Sequence, residues 1–180
     1  MGPRSTALLL SGPPGIGKTT VIRRVAAGLT GRRIRGFTTE EIRSGGQRLG
    51  FRLETFDARP LVLAHVDIRS PHRIGKYGVD LAALEGILDS ALGVDETTEA
   101  YLVDEIGKME CLSPRFVAAM TRLLDSGRPV VATIAARGGG FIERAKRRGD
   151  VELWTVSRAN RDELPGRVLA WLRERSALSR

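Results

Sequence analysis

Two clusters in this 180-residue chain have the residue types and spacing for chemistry on a phosphate chain. The first is Gly12-Pro13-Pro14-Gly15-Ile16-Gly17-Lys18-Thr19, followed by Thr20. It satisfies the pattern G-x-x-x-x-G-K-[ST] at every required position. Glycines there let the backbone fold round an anion, so that N–H groups converge on it at a helix N-terminus. In that arrangement Lys18 reaches the β- and γ-phosphates and the Thr19 hydroxyl ligates Mg²⁺. The second cluster is Tyr101-Leu102-Val103-Asp104-Glu105, continued by Ile106-Gly107-Lys108. Apolar residues running into Asp-Glu read as a buried parallel strand whose carboxylates emerge at its C-terminal end, where ligands bind in open α/β sheets. Asp104 is the candidate metal aspartate, and Glu105 the candidate general base for an attacking water.

The elements that must position these residues are legible on both sides. Ala7 to Leu10 is a short apolar run ahead of the glycine loop, and Val21, Ile22, Val25, Ala26 and Leu29 form one face of a helix after it. That helix is expected over Lys18 to Leu29. Ile34 to Arg43 and Arg48 to Phe56 read as strands joined through Ser44-Gly45-Gly46-Gln47, with a third strand over Arg59 to Asp67. Thr38, Thr39, Glu40 and Glu41 lie at the start of this insertion, where they face the γ-phosphate or the metal, or else form a solvated strand edge. Ile74 to Asp80 reads as a glycine-punctuated loop leading to a helix capped by Asp80, whose buried face runs Leu81, Leu84, Ile87, Leu88, Ala91 and Leu92. Ser113-Pro114 starts another amphipathic helix, Pro129 to Ile134 another apolar strand, and Val151 to Val156 the last strand.

Three further stretches carry candidate roles. Arg137-Gly138-Gly139-Gly140 opens a basic helix with Arg144, Lys146, Arg147 and Arg148. It reads as a cover over the triphosphate with Arg137 as an internal arginine finger, or as a solvated basic face. Asn160, beyond the last strand, reads as a contact to the nucleotide base or as a helix cap, with capping favoured. His65 and His72 lack partners at metal-ligand spacing, and Cys111 reads as a small buried hydrophobe.

Composition bounds the rest. The hydrophobic fraction of 42% and charged fraction of 28% are ordinary for one globular domain, taken here as residues 1–180. No apolar run approaches the roughly 20 residues of a membrane span, and Met1 to Ser5 leaves no room for a cleavable signal before the first strand. A single cysteine points to a reducing, cytoplasmic setting. The net charge of +8 invites a nucleic-acid partner, but the positive residues are scattered and aromatics are only 5%, which weighs against one without closing the question. Arginine outnumbers lysine 25 to 4, yet Lys18, Lys76 and Lys108 each follow a glycine, as if a compact ammonium were needed there.

These strings together resemble the small P-loop nucleoside-triphosphatases first described from thermophiles, a family that includes the human cancer-related nucleoside-triphosphatase. The resemblance spans nearly the whole chain. It rests on GPPGIGKTT at Gly12 to Thr20, GFTTEEIR at Gly36 to Arg43, RLGF at Arg48 to Phe51 and KYGVDL at Lys76 to Leu81. VDEIGKME at Val103 to Glu110 and NRDELP at Asn160 to Pro165 complete it. It implies a three-layer α/β P-loop fold of RecA-like, additional-strand type, mostly parallel, with an antiparallel hairpin insertion. Val130 to Ile134 would then be the added strand between those carrying the two motifs. It also implies Mg²⁺-dependent hydrolysis of ATP, GTP, CTP and UTP to diphosphates, with nucleotide contacts on Gly12 to Thr19 and around Tyr101 to Lys108. Arg52 stands where an acidic residue is expected, which leaves the role of that side chain open. A monomer is expected. A kinase with a small acceptor and a nucleic-acid-associated ATPase module remain the competing readings.

Overall fold

A computed structural model of the chain describes residues 5–176. The expectation drawn from Met1 to Arg4 lies outside that range. A single nine-stranded sheet runs through the molecule. The strands are β1 (Ala7–Gly12), β2 (Ile34–Ser44), β3 (Gln47–Thr55), β4 (Pro60–His65), β5 (Arg73–Ile74), β6 (Tyr77–Val79), β7 (Ala100–Ile106), β8 (Val130–Ala135) and β9 (Val151–Thr155). Their spatial order is β5-β6-β4-β3-β2-β7-β8-β1-β9. Six helices cover the sheet: α1 (Lys18–Gly28), α2 (Leu81–Gly86), α3 (Leu88–Leu92), α4 (Pro114–Asp125), α5 (Phe141–Lys146) and α6 (Leu164–Ser176).

The three layers follow from the period-2 alternation of strands. In β1, Leu8 and Leu10 turn to one face and pack with Val21, Ile22 and Val25 of α1 and Val168 and Leu172 of α6. Ala7 and Leu9 turn to the other and join Leu84, Phe116, Met120, Leu123 and Ile142, from α2, α4 and α5. Strands covered on both faces lose the polar-apolar alternation, and β1, β7 and β8 accordingly read as almost continuous apolar runs. Large-to-small changes at such fully buried positions cost about 2–5 kcal/mol.

β8 pairs in parallel with β1 on one side and β7 on the other, so Val130 to Ile134 does occupy the added-strand position. The fold is α/β of the P-loop kind. The insertion, however, is larger than a hairpin. β2 is parallel to β7 but antiparallel to β3, and β3, β4, β6 and β5 continue the same sheet antiparallel. Ile74 to Asp80, read from the sequence as a loop, holds most of the last two strands, Arg73–Ile74 and Tyr77–Val79. They are two and three residues long, too short for a periodic signal. The turn between β2 and β3 has Gly45 at φ 55° and Gly46 at φ 76°, the paired left-handed geometry of a tight hairpin, which only glycines adopt freely.

The single helix expected over Leu81 to Leu92 is two, broken at Ile87. Gly86 weakens the helix just before the break, and the Ile87 N–H bonds back only three residues, to the Leu84 carbonyl. The caps are as expected. Asp80 Oδ1 accepts the Ala83 N–H at 2.9 Å and Ser113 Oγ accepts the Phe116 N–H at 3.1 Å.

Candidate active site

The loop after β1 and the tips of β7 and β8 meet at the C-terminal edge of the parallel strands. Gly15 and Gly17 take φ of 74° and 111°, in the left-handed region that a glycine tolerates. Gly12 must lack a side chain for another reason: a Cβ there would stand 2.8 Å from the Val156 carbonyl oxygen. Gly17 is the N-cap of α1, so the free N–H groups of the first turn, including those of Thr19 and Thr20, point into the loop. Pro13, Pro14 and Gly15 are exposed on its rim, with Ile16 half-buried against α6 and its neighbours.

Lys18 folds back over this loop. Its Nζ donates to the Gly12 carbonyl at 3.0 Å and lies 3.9 Å from Glu105 Oε2. The glycine loop and the strand-tip carboxylate, 87 positions apart in sequence, thus share one ammonium. Burial raises the Glu105 carboxyl above the ordinary carboxylate range; Lys18 pulls it down and the Asp104 charge pushes it up. A carboxylate more basic than usual, with one face open, is suited to taking a proton from water.

Asp104 behaves differently. It is 1% exposed. Its Oδ1 accepts the Thr133 hydroxyl at 2.7 Å, and its Oδ2 accepts the Thr39 hydroxyl at 3.1 Å and the Thr39 N–H at 3.3 Å. A buried carboxylate bonded by two hydroxyls and an amide is held in one orientation. The strand supplies the aim. Val103 pairs with Ala132 but Ile106 pairs with Ile134, so β7 carries one extra residue between them. This bulge sits at Asp104-Glu105, and bulges re-aim side chains at the ends of strands.

The structure separates the expected contact residues. Tyr101, Leu102, Val103 and Ile106 are fully buried strand core. Tyr101 sits near the opposite end of β7, its hydroxyl donating to the Gly93 carbonyl at 2.8 Å and accepting the Asp95 N–H at 2.9 Å. They position the carboxylates and have no surface left for a ligand, which corrects the expectation for those four side chains. Gly107 is buried beside Glu105, while Lys108 is exposed. Arg137 lies just past the end of β8, exposed, with no hydrogen bond or ion pair among the described residues. It is at the correct end of the sheet for a finger. The turn it occupies is tied to α5 through Lys146 Nζ, which donates to the Ala136 carbonyl at 2.9 Å.

Asn160 does not cap the last helix. Its Oδ1 accepts the Ser157 N–H and its Nδ2 donates to the Thr155 carbonyl, both at 2.8 Å, while α6 begins only at Leu164. The side chain reaches backward and closes the loop after β9. That loop instead presents Arg161, whose Nη1 donates to the Ile16 carbonyl at 3.3 Å. Arg52 finds its role in a pair with Glu40, Nε to Oε2 at 2.7 Å. Glu40 also lies 3.9 Å from Arg23 of α1.

Sequence reasoning passed over Thr133 and Glu110. Thr133 went unremarked inside Pro129 to Ile134, read as an apolar strand, although a polar residue in a buried run is the informative kind. Glu110 was in view as the last letter of VDEIGKME. Nothing local indicated that its side chain folds back beside Glu105.

A profile of a family described simply as NTPase matches residues 7–169. Nucleoside-triphosphatase THEP1 of Thermotoga maritima is 39% identical over 167 residues, covering 92% of this chain and 95% of that protein. The THEP1 of Thermofilum pendens is 40% identical over 163 residues, covering 87% and 90%. Among solved structures, THEP1 from Aquifex aeolicus superposes with a TM-score of 0.82 at 30% identity, covering 92% of this chain and 98% of that one. A human cancer-related nucleoside triphosphatase superposes with a TM-score of 0.79 at 32% identity, covering 96% and 98%.

Proposed function

The chain belongs to the NTPase family of nucleoside-triphosphatases, and on that premise we propose how its residues divide the work of hydrolysing a γ-phosphate. The triphosphate tail lies in the loop Gly12 to Thr19. Backbone N–H groups and Lys18 take up charge on the β- and γ-phosphates as it grows in the transition state. Glu105 orients a water and accepts its proton as oxygen attacks the γ-phosphorus, and the nucleoside diphosphate leaves. The observation that carries this reading is the 3.9 Å approach of Lys18 Nζ to Glu105 Oε2. It sets the proton acceptor beside the cation that meets the terminal phosphate.

The donor set fits Mg²⁺. Thr19 offers a hydroxyl and Asp104 a carboxylate, both hard oxygen ligands. Among the described residues no group of three or more His, Cys, Asp or Glu side chains could hold an ion alone. Most of the coordination would therefore come from phosphate oxygens and water, as is usual for this cation. When bound, Mg²⁺ neutralises charge on the β- and γ-oxygens. Thr39 and Thr133 hold the Asp104 carboxylate in one orientation, as a metal ligand there would need.

Broad base tolerance is supported at the loop after β9. Asn160 spends its amide on backbone groups there, and Arg161 offers a planar cation able to stack on any base. We read ATP, GTP, CTP and UTP as comparable substrates, and the working unit as a monomer.

Phosphate release from the four triphosphates, with and without Mg²⁺ and with and without nucleoside acceptors, tests the reading. Glu105→Gln should lower kcat by about 10²-fold or more while nucleotide binding persists. Undiminished turnover in that variant removes Glu105 from the mechanism. Label transferred to an acceptor instead of water would make the protein a kinase.

A further inference from the structure

Glu110 is a buried acid for which neither the fold nor the proposed hydrolysis has so far required a role. It lies in a 3-10 turn, Glu110–Leu112, between β7 and α4, and is 4% exposed. No lysine, arginine or histidine among the described residues lies within ion-pair distance of it. Its carboxyl lies near the backbone N–H groups of Gly107 and of Glu110 itself, which favour its charged form against the larger effect of burial.

The geometry around Gly107 shows what else the side chain touches. A Cβ placed on Gly107 would stand 2.7 Å from Glu105 Oε1, 3.0 Å from Glu105 Cγ and 2.8 Å from Glu110 Oε2. One point in space is thus crowded by oxygens of both carboxyls, and only a residue without a side chain leaves room for them. The Gly107 backbone is outside the left-handed region, so glycine is needed here for the space and not for its dihedrals.

We propose that Glu110 is a positioning residue for the general base: its carboxyl, packed with that of Glu105 over the bare Cα of Gly107, fixes the direction in which Glu105 presents its oxygens to water. Two like carboxylates crowded together repel, so the arrangement persists where one of them keeps its proton. Glu110 is the one that does. Burial pushes it up to about 8, and the charges of Glu105 and Asp104 work in the same direction. A neutral carboxyl has an O–H to donate as well as an oxygen that accepts. The O–H faces Glu105, and the other oxygen keeps the turn closed on the Gly107 N–H. Glu105 then holds one rotamer at the tip of β7 and not a spread of them, and misplacement by an ångström is enough to cost about 10²-fold in rate.

This inference rests on Glu105 being the base, so Glu105→Gln is run in parallel. Three variants are measured by phosphate release and nucleotide binding, with thermal melting as the check on folding: Glu110→Gln, Glu110→Ala and Gly107→Ala. The amide of glutamine donates and accepts as a neutral carboxyl does, so Glu110→Gln should turn over close to the parent rate. Glu110→Ala and Gly107→Ala should lose about 10- to 10²-fold in kcat with KM for the nucleotide nearly unchanged. Undiminished kcat in both, with Glu105→Gln dead, overturns the inference and leaves the hydrolytic reading standing. Loss of activity in Glu110→Gln equal to that in Glu110→Ala also overturns it, since a negative charge and not a positioned neutral group would then be at work. Normal turnover in Glu105→Gln sinks the reading beneath it instead. Should Glu110→Ala fail to melt cooperatively, Gly107→Ala alone decides, because it keeps Glu110 and alters only the space the two acids share.

Discussion

The two halves of the sheet are built on different physics. In the parallel half, β2-β7-β8-β1-β9, β1, β7 and β8 are covered on both faces and their residues approach zero exposure. Polar groups enter it only where they are bonded, as Thr133 is to Asp104. In the antiparallel half, β3, β4, β6 and β5, the two longer strands β3 and β4 keep a wet face, with Val62 44% exposed. Its surface is tied by ion pairs: Arg52 to Glu40, and Arg43 and Arg48 to Glu41. Arg48 also covers the rings of Phe51 and Tyr77, 5.1 and 5.8 Å from their centroids. All the proposed chemistry sits at the tips of the parallel strands except one group, Thr39, on the strand that both halves share. The difference teaches that buried, fully bonded polar contacts aim the site, while the exposed ion pairs hold a surface that the site hardly senses.

That contrast breaks most visibly if the two threonines are compared. Thr133→Val keeps the shape of β8 but leaves Asp104 Oδ1 without its donor, and Thr39→Val, on the strand both halves share, takes the hydroxyl from Oδ2 and leaves it only the Thr39 N–H. Each should raise the Mg²⁺ concentration needed for half-maximal turnover by about 10- to 100-fold, the usual effect of losing a partner of a metal ligand. A Mg²⁺ titration of phosphate release measures both. If only Thr133→Val responds, the shared strand β2 contributes nothing to the site through the Thr39 hydroxyl.

A smaller effect sharpens the comparison through pH. Glu110 is raised to about 8 in the folded chain from an ordinary value of 4.5. Between those values the unfolded chain has lost the proton and the folded chain keeps it, so stability falls as pH rises through this window. Glu105 is raised too and adds to the slope. Glu110→Gln removes its share, so its melting temperature relative to the parent should climb from pH 5 to pH 8 in the absence of nucleotide. A difference that does not change with pH would mean that Glu110 is already ionised across the range.

The smallest effect is expected on the wet half. Arg52→Ala removes an exposed pair with Glu40, and pairs of that kind are worth about 0.2–1 kcal/mol and are screened by salt. Denaturant unfolding should shift by no more than that, and kcat should not move. A large loss of kcat would show that the chain of charges from Arg52 through Glu40 to Arg23 on α1 reaches the phosphate loop.

Much of this was legible in the chain itself. The glycine loop, the Asp-Glu pair, the caps Asp80 and Ser113 and the existence of a strand at Val130 to Ile134 all depend on local spacing; its place between β1 and β7 was implied by the family resemblance. Local spacing is what hydrogen bonds over three or four residues and alternation along a strand impose. The contacts that the resemblance implied at Tyr101 to Val103 are not matched by those buried side chains, because a motif that ends in candidate site residues says nothing about which of its members face inward. Local spacing also misjudged Asn160, whose side chain could turn forward to a helix or back to the strand it had just left.

Tertiary structure alone decided the remainder. The approaches of Lys18 to Glu105, of Thr39 to Asp104 and of both Glu105 and Glu110 to Gly107 join residues whose separation follows from strand order and one extra residue in β7. The charge state of Glu110 likewise depends on how much water the surrounding elements exclude. Residue types and spacing specify which groups are present; dielectric and proximity arise only when the whole chain is packed.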